Sequence, residues 1–352
     1  MKLFWYIARN VLLIISMVLL VIIAIDFAFL IIREGDSVGS GGYGWGDAFI
    51  YVALRMPADI CIILPLAAFL GSLLSLIMMA AKSELIVMRA SGLSIFQLSK
   101  ALLLVSGFLL FVYYALNFFI APYAGHLANV EKNIFRSNQQ VFVLAEQTWL
   151  RSGNHFLLMG AILPDGNIQN VTDYEVNNGV LTVIRQIKSV HLNNDNTWSL
   201  SQINTTILAN TGVTQVYTPT LVEPSLIAST LLPVITMQPY EMNILSLYHY
   251  IQFREDNHLD IKSYQLQFWT RVFSPLMIPI MVLIAVPFVL GSQRSKVHLK
   301  MIAAIVLGFS FSLIGQFFGS LTLLTPLPAF LGALLPELIL GSVLFVLLKI
   351  LS

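Results

Sequence analysis

The chain has 352 residues, of which 57% are apolar and only 11% charged, with a formal net charge of +1 and a mean hydropathy of +0.81. A water-soluble domain of this size carries roughly a quarter charged residues to cover its surface, so the composition argues against that class, and the near-neutral charge gives no support to nucleic-acid binding. The single cysteine, Cys61, excludes an intrachain disulfide framework and a multi-cysteine metal site.

The first apolar run, Val11 to Ile32, is broken only by Ser16 and Asp26. As a helix it measures about 33 Å, enough to cross a hydrocarbon core of about 30 Å. It is too long for the apolar region of a signal peptide and no small-x-small site closes it, so it reads as a retained signal anchor. A literal G-x-G-x-x-G follows at Gly39 to Gly44. Its nucleotide-binding form needs a strand before it and a helix after it. Here a membrane span precedes it, which makes it a glycine-rich loop.

Ala58 to Ala81 and Ala101 to Ala121 are the second and third runs, and Cys61 is a small packed residue of the second. Between them lies the polar connector Lys82 to Ser94. Its Glu84, Met88 and Ser91 share a helical face, since residues three and four apart are neighbours, and Gly92 can end that helix. A short amphipathic helix with one carboxylate among basic residues suits a soluble partner pressing on the membrane region. A solvated connector has the same spacing, which does not choose between the two.

Hydropathy collapses from about 122 to 264, and Asn, Gln, Thr and Asp become frequent. Alternating runs appear at Val141–Leu144, His155–Met159, Val180–Ile184 and Trp198–Ile203, separated by turn clusters at 151–154, 164–167, 177–179 and 193–196. Strands at this spacing with Asn-Gly and Asp-Gly turns predict an antiparallel sandwich, roll or barrel. The edges of the insert, near 122–136 and 240–264, read as helical.

Val272 to Gly291, Leu299 to Leu321 and Leu327 to Leu348 complete six spans. The fold predicted is therefore an α-helical membrane protein, three spans plus three, with an inserted all-β jellyroll-like domain. The divisions are 1–121 (spans one to three, with a connector helix at about 82–94), 122–264 (the β domain with helical connectors) and 265–352 (spans four to six). Lys2 and Arg9, then Lys82, Arg89 and Lys100, then Arg294, Lys296 and Lys300, and finally Lys349 fall on one side. By the positive-inside rule both termini are cytoplasmic and the β domain lies outside, in the periplasm of a bacterium.

No G-x-x-x-x-G-K-[ST] exists in the chain, so any ATP that drives it is bound by another subunit. His126, His155, His191, His249, His258 and His298 show no zinc-protease spacing, and no metal site is expected. The sequons at Asn170 and Asn204 are frequent by chance and irrelevant in most bacteria. Asp26, Asp59 and Glu337 fall within or at the edges of apolar runs, where an ionised side chain costs about 2.5 to 3.5 kcal/mol at the bilayer centre. They are scattered over separate spans with no lysine or arginine inside the spans to pair them, which favours packing or end-positioning over a proton relay.

The run Pro65-Leu-Ala-Ala-Phe-Leu-Gly-Ser-Leu-Leu74, leading into Ser83-Glu-Leu-Ile-Val-Met-Arg-Ala-Ser-Gly92, resembles the LptF/LptG permeases of the lipopolysaccharide export ABC transporter. The resemblance covers essentially the whole chain. The segment Glu84 to Gly92, Tyr264-Gln-Leu-Gln-Phe-Trp-Thr-Arg-Val-Phe-Ser-Pro-Leu276 and Gln316-Phe-Phe-Gly-Ser-Leu-Thr322 are most similar to the LptG branch. The resemblance implies a permease with no catalytic residues of its own, in the bacterial inner membrane. Its implied partners are an LptB ATPase dimer that holds ATP and Mg, an LptF permease, and LptC, which receives the lipopolysaccharide on its way to the periplasmic bridge and outer membrane. On this resemblance Glu84, Leu85, Met88, Arg89, Ser91 and Gly92 form the helix that couples to the ATPase.

It further implies an acyl-chain cavity, which Phe27, Phe29, Ile314, Phe317 and Phe318 can help line, and basic residues at the periplasmic rim for the substrate's phosphates. The chain departs from the family there. Asp26 stands about where LptG has a basic residue, and only Arg33, followed by Glu34, remains of a later basic pair. Lys132 falls at one matching basic position and Arg136 lies one turn on. Three other readings stay open: an LptF-type paralogue, a non-transporting scaffold for the β domain, and a membrane enzyme acting on lipid-linked substrates. The enzyme needs a carboxylate pair, a histidine-rich site or an activated nucleophile, none of which stands out in the sequence.

Overall fold

The computed structural model describes residues 2–92, 94–136, 143–162, 167–177, 179–193, 195, 197–209, 212–226, 242–290 and 297–351. Two compact units emerge: a helical one of Met1–Asp36, Phe49–Ala128 and Lys262–Ser352, and a second of Ser37–Ala48 and Asn129–Ile261 that carries the sheet.

Among the described residues six helical stretches are long and apolar enough to cross a membrane, three before the sheet and three after it. They comprise α1 (Lys2–Glu34), α2 (Trp45–Ala81), α4 (Ile95–Ala115), α7 (Lys262–Phe273) running through a 3₁₀ turn (Ser274–Leu276) into α8 (Met277–Leu290), α9 (Val297–Leu324) and α10 (Ala329–Leu351). The short α3 (Glu84–Ala90) joins α2 to α4, and a π-helical turn (Leu116–Ile120) carries α4 into α5 (Ala121–Arg136). Several helices outrun their apolar cores. α1 begins at Lys2 rather than near Val11, and α2 at Trp45 rather than near Ala58. Hydropathy marks the part that meets hydrocarbon, whereas backbone hydrogen bonding continues through polar flanks such as Asp47 and Arg55.

α2 is the centre of this unit. In its most apolar window 67% of residues are buried, against 11% in α1 and 18% in α9. Among its buried residues, beside Leu64, Phe69, Leu73 and Leu76, are the small Ala67, Ala68, Gly71, Ser72 and Ser75, which let neighbouring backbones approach. At Gly71 the approach is close enough that a Cβ would sit 2.5 Å from Ile15 Cα of α1. Around this seam pack Val11 and Ile15, Leu102 and Val105 of α4, Ile278 and Val282 of α8, and Leu340 of α10.

In the second unit, among the described residues, six strands form one antiparallel sheet in chain order: β1 (Val143–Ser152), β2 (His155–Ile162), β3 (Ile168–Asn177), β4 (Val180–Leu192), β5 (Thr197–Ala209) and β6 (Gly212–Pro224). A helix, α6 (Ile244–Asp256), follows, capped by Asn243, whose side chain accepts from Ser246 N–H. The sequence expectation covered parts of β1, β2, β4 and β5; β3 and β6 were not foreseen, and residues 141–142 and the turn cluster at 164–166 lie outside the described residues.

The sheet is creased along one row. Asn170 and Gln202 have left-handed backbones (φ 54° each), and the register sets both opposite Lys188. Gly160 and Pro219 occupy the same row on β2 and β6, and β1 bulges there between Val143 and Thr148. Buried residues on one side are Val171, Ile187 and Ile203, and on the other Ile168, Val190 and Leu200. That spacing of three breaks the two-residue alternation of a flat pleat, and the left-handed residues absorb the offset in β3 and β5. Gly160 is required: a Cβ there would meet Gln169 O at 2.6 Å.

An ion pair shows that the two leaves face each other. Arg185 shares its row with Thr205 and Val216, and Glu223 lies seven positions further along β6. A flat sheet would hold them about 25 Å apart. Instead Arg185 Nη1 donates to Glu223 Oε2 at 2.8 Å.

Candidate functional site

α3 is held between two left-handed residues, Ser83 (φ 59°) and Gly92 (φ 98°). Ser83 closes α2 in a position where glycine is usual, at a cost of about 1 kcal/mol for a side chain. Gly92 N–H donates to Arg89 O at 3.1 Å, Ser91 Oγ donates to Met88 O at 2.8 Å, and α3 stops there. Two residues on, Ser94 starts α4 with a reciprocal capping box to Gln97.

Leu85 and Met88 are buried and anchor α3 to the core that holds Ile7, Ala8 and Val11 of α1. Glu84, Met88 and Ser91, assigned to one face, line an open groove of about 460 Å³ with Leu3, Tyr6, Lys82, Ser83 and Val87. Tyr6 donates its hydroxyl hydrogen to Glu84 Oε2 at 2.9 Å. The opposite side carries Arg89 and the exposed apolar Ile86 (63%), and Val87, on the groove's wall, is also exposed (65%). Sequence reasoning missed Ile86, Val87 and Tyr6. The signal for the first two was present: they are out of phase with Leu85 and Met88, so one pair or the other had to face outward. Nothing local in the sequence ties Tyr6 to a residue 78 positions away.

The residues assigned to the substrate fall on several elements. Phe27 belongs to a small cluster with Leu30, Tyr51, Val52 and Ala128, and its ring lies 6.1 Å from that of Phe49. Phe29 is 67% exposed beside a shallow apolar depression formed with Ala24, Ile25, Ala28 and Ile32. Ile314 packs on the main core, and Phe317 meets Phe318 edge to face at 5.8 Å on α9. Among the described residues no ring contact joins the α1 aromatics to those of α9. Arg33 is exposed in the last turn of α1, where a cation favours the helix dipole. Lys132 is half-buried on α5, and Arg136 is the last residue of that helix.

One expectation about the intramembrane acids needs correction. Asp59 does have a basic partner: Arg55 Nε lies 3.5 Å from its Oδ2, one turn back on α2. Because α2 begins at Trp45, Arg55 belongs to the same helix rather than to a preceding loop. Asp26 and Arg33 of α1 are within electrostatic reach of Asp59. Asp26 Oδ2 and Glu337 Oε2 are buried without a hydrogen-bond partner among the described residues.

The β unit holds a further charged cluster that sequence reading did not foresee. Asp173, 1% exposed, has His155 Nδ1 at 3.0 Å and Arg185 Nε at 3.4 Å. Burial pushes its carboxyl above the ordinary range, against the pull of His155 and Arg185. Among the described residues no group of three or more metal-ligating side chains converges.

Comparison with known proteins gives a consistent result. Residues 5–350 match the family model described as lipopolysaccharide export system permease LptF/LptG. The chain is 28% identical over 336 residues to the lipopolysaccharide export system permease protein LptG of Escherichia coli strain K12, covering 94% of this chain and 93% of that protein. It is 26% identical over 338 residues to the protein of the same description from Haemophilus influenzae, covering 95% and 94%.

Proposed function

We propose, from the premise that this chain belongs to the LptF/LptG family of lipopolysaccharide export permeases, that an ATPase docked beneath α3 drives it to lift lipopolysaccharide out of the inner membrane. Its relatives are described as LptG, which supports that branch over LptF for this chain. In this reading it pairs with an LptF-type permease above two LptB subunits, which hold the ATP and Mg. The substrate leaves the outer leaflet of the inner membrane and passes by LptC to the periplasmic bridge. Both termini face the cytoplasm and the sheet faces the periplasm, as the lysine and arginine distribution favours.

The observation that carries the proposal is α3 itself. A seven-residue helix between two spans, with Ile86 and Arg89 outward and Glu84 and the exposed Val87 along a groove, offers a soluble partner apolar contact and charge together. Leu85 and Met88 root it in the core around α2, so a push on α3 reaches the bundle as a rigid displacement. α1 and α9, whose apolar windows are mostly uncovered, supply surface for a second permease and for acyl chains. Phe27, Phe29, Ile314, Phe317 and Phe318 are the candidates for the chains. Arg33, Lys132 and Arg136 are the candidates for the phosphates.

Affinity purification of the full chain in mild detergent, followed by mass spectrometry, tests this. The expected result is recovery of a soluble P-loop ATPase and a second six-span permease. Recovery of the chain alone across several detergents would overturn the proposal and favour the scaffold reading.

A further inference from the structure

The groove beside α3 is made by two elements, and the second of them is the start of α1. α1 has 33 residues, about 50 Å of helix, against a hydrocarbon core of about 30 Å. Its apolar run begins at Val11, so Lys2 to Asn10 project beyond that run on the side where α3 lies. Ile7 and Ala8 belong to the same buried core as Leu85 and Met88, and Leu3 and Tyr6 line the groove. From this wall Tyr6 donates to Glu84 Oε2 at 2.9 Å.

A glutamate at the first position of a short surface helix ordinarily samples several rotamers, which a partner must freeze on binding. The phenol removes that freedom. It also occupies one side of the carboxylate and leaves the other oxygen for an incoming group. Among the described residues no lysine or arginine is in ion-pair contact with Glu84, although Lys82 lines the same groove and Arg89 lies on the same helix. The carboxylate is thus oriented by a neutral donor, and its charge stays available to a cation. The walls Leu3, Val87 and Met88 suit the aliphatic stem of such a cation.

We infer that Tyr6 is a positioning residue for coupling: its hydroxyl fixes the Glu84 carboxylate for a basic side chain of the ATPase, making the start of α1 part of the docking surface. This rests on the proposal that α3 receives an ATPase. Because Tyr6 is itself 46% exposed, the bond orients a side chain more than it stabilises the fold. Its loss therefore shows in docking rather than in folding.

The test is a double-mutant cycle on the full chain assembled with its second permease and ATPase. Tyr6→Phe, Glu84→Ala and the double variant are compared for ATPase affinity and for lipopolysaccharide released per ATP. The expected result is that Tyr6→Phe weakens ATPase affinity roughly five-fold when Glu84 is present and adds no further loss when position 84 is alanine. Wild-type affinity in Tyr6→Phe, or an equal loss in both backgrounds, overturns the inference. A general folding defect would give the second pattern, so the cycle separates positioning from damage. If the wild-type chain retains no ATPase, the docking proposal itself fails, a result distinct from either of these.

Discussion

In the β unit, Asp173 is 1% exposed and has His155 and Arg185 upon it, while Arg185 also reaches Glu223 across the crease. In the helical unit, Glu337 is 7% exposed and Asp26 and Glu337 each bury an oxygen without a hydrogen-bond partner among the described residues. The sheet pairs this buried charge from its own chain, because its fold brings β2, β3, β4 and β6 together around Arg185. The bundle leaves more open, acids inside and apolar faces outside on α1 and α9, as expected of a unit that finishes its packing against lipid and other subunits. The difference lies in the buried acids: the sheet pairs Asp173 within its own chain, and the bundle leaves an oxygen of Asp26 and of Glu337 without a hydrogen-bond partner among the described residues.

This comparison can be broken most sharply at Arg185. Arg185→Ala strips the buried Asp173 of its guanidinium and releases Glu223, and is expected to cost the β unit about 3 kcal/mol. Hydrogen exchange of the six strands in the full chain measures it. Unchanged protection would show that the leaves hold together without the ion pair. At the α1–α2 seam, Gly71→Val places a Cβ 2.5 Å from Ile15 Cα and is expected to cost about 2 kcal/mol, read as weakened thermal stability in detergent.

A smaller, pH-dependent effect belongs to Asp173. Its carboxyl titrates above the ordinary carboxylate value in the folded chain, chiefly through burial. Between the two values the folded state keeps a proton that the unfolded state has lost, so this group's contribution to stability falls as pH rises through that window. Asp173→Asn should flatten that part of the exchange-versus-pH curve. The smallest effect is expected at Glu337. Glu337→Gln keeps the shape and removes any charge, so stability should change by less than about 0.5 kcal/mol. A loss near the 3 to 5 kcal/mol of a broken buried ion pair would mean that Glu337 has a partner, and that the contrast with the sheet is false.

Much of this was legible in the sequence because the membrane forces it. Six runs near twenty residues give six spans, and Glu84 to Gly92 reads as a short helix with a glycine stop. The crease was not legible. Its markers, Gly160, Asn170, Gln202 and Pro219, are ordinary residues until the register aligns them. β6 was missed because Pro219 argues against a strand. It is tolerated on this outermost strand at the crease, where a missing N–H does least harm. The Arg55–Asp59 pair was missed because hydropathy placed Arg55 outside the helix. Tyr6 was missed because its partner is distant in sequence, and only the folded bundle brings the start of α1 to α3.

The central claim is that this permease is worked from α3 by a separate ATPase. It is tested most directly in proteoliposomes that hold this chain with its second permease, its ATPase and lipopolysaccharide. Release of lipopolysaccharide to a soluble acceptor is followed with ATP, without ATP, and with Glu84→Ala. The account predicts release that requires ATP and falls at least ten-fold in Glu84→Ala, an order-of-magnitude expectation for losing a charged contact at an interface. Release without ATP, or full ATP-driven release in Glu84→Ala, would contradict it.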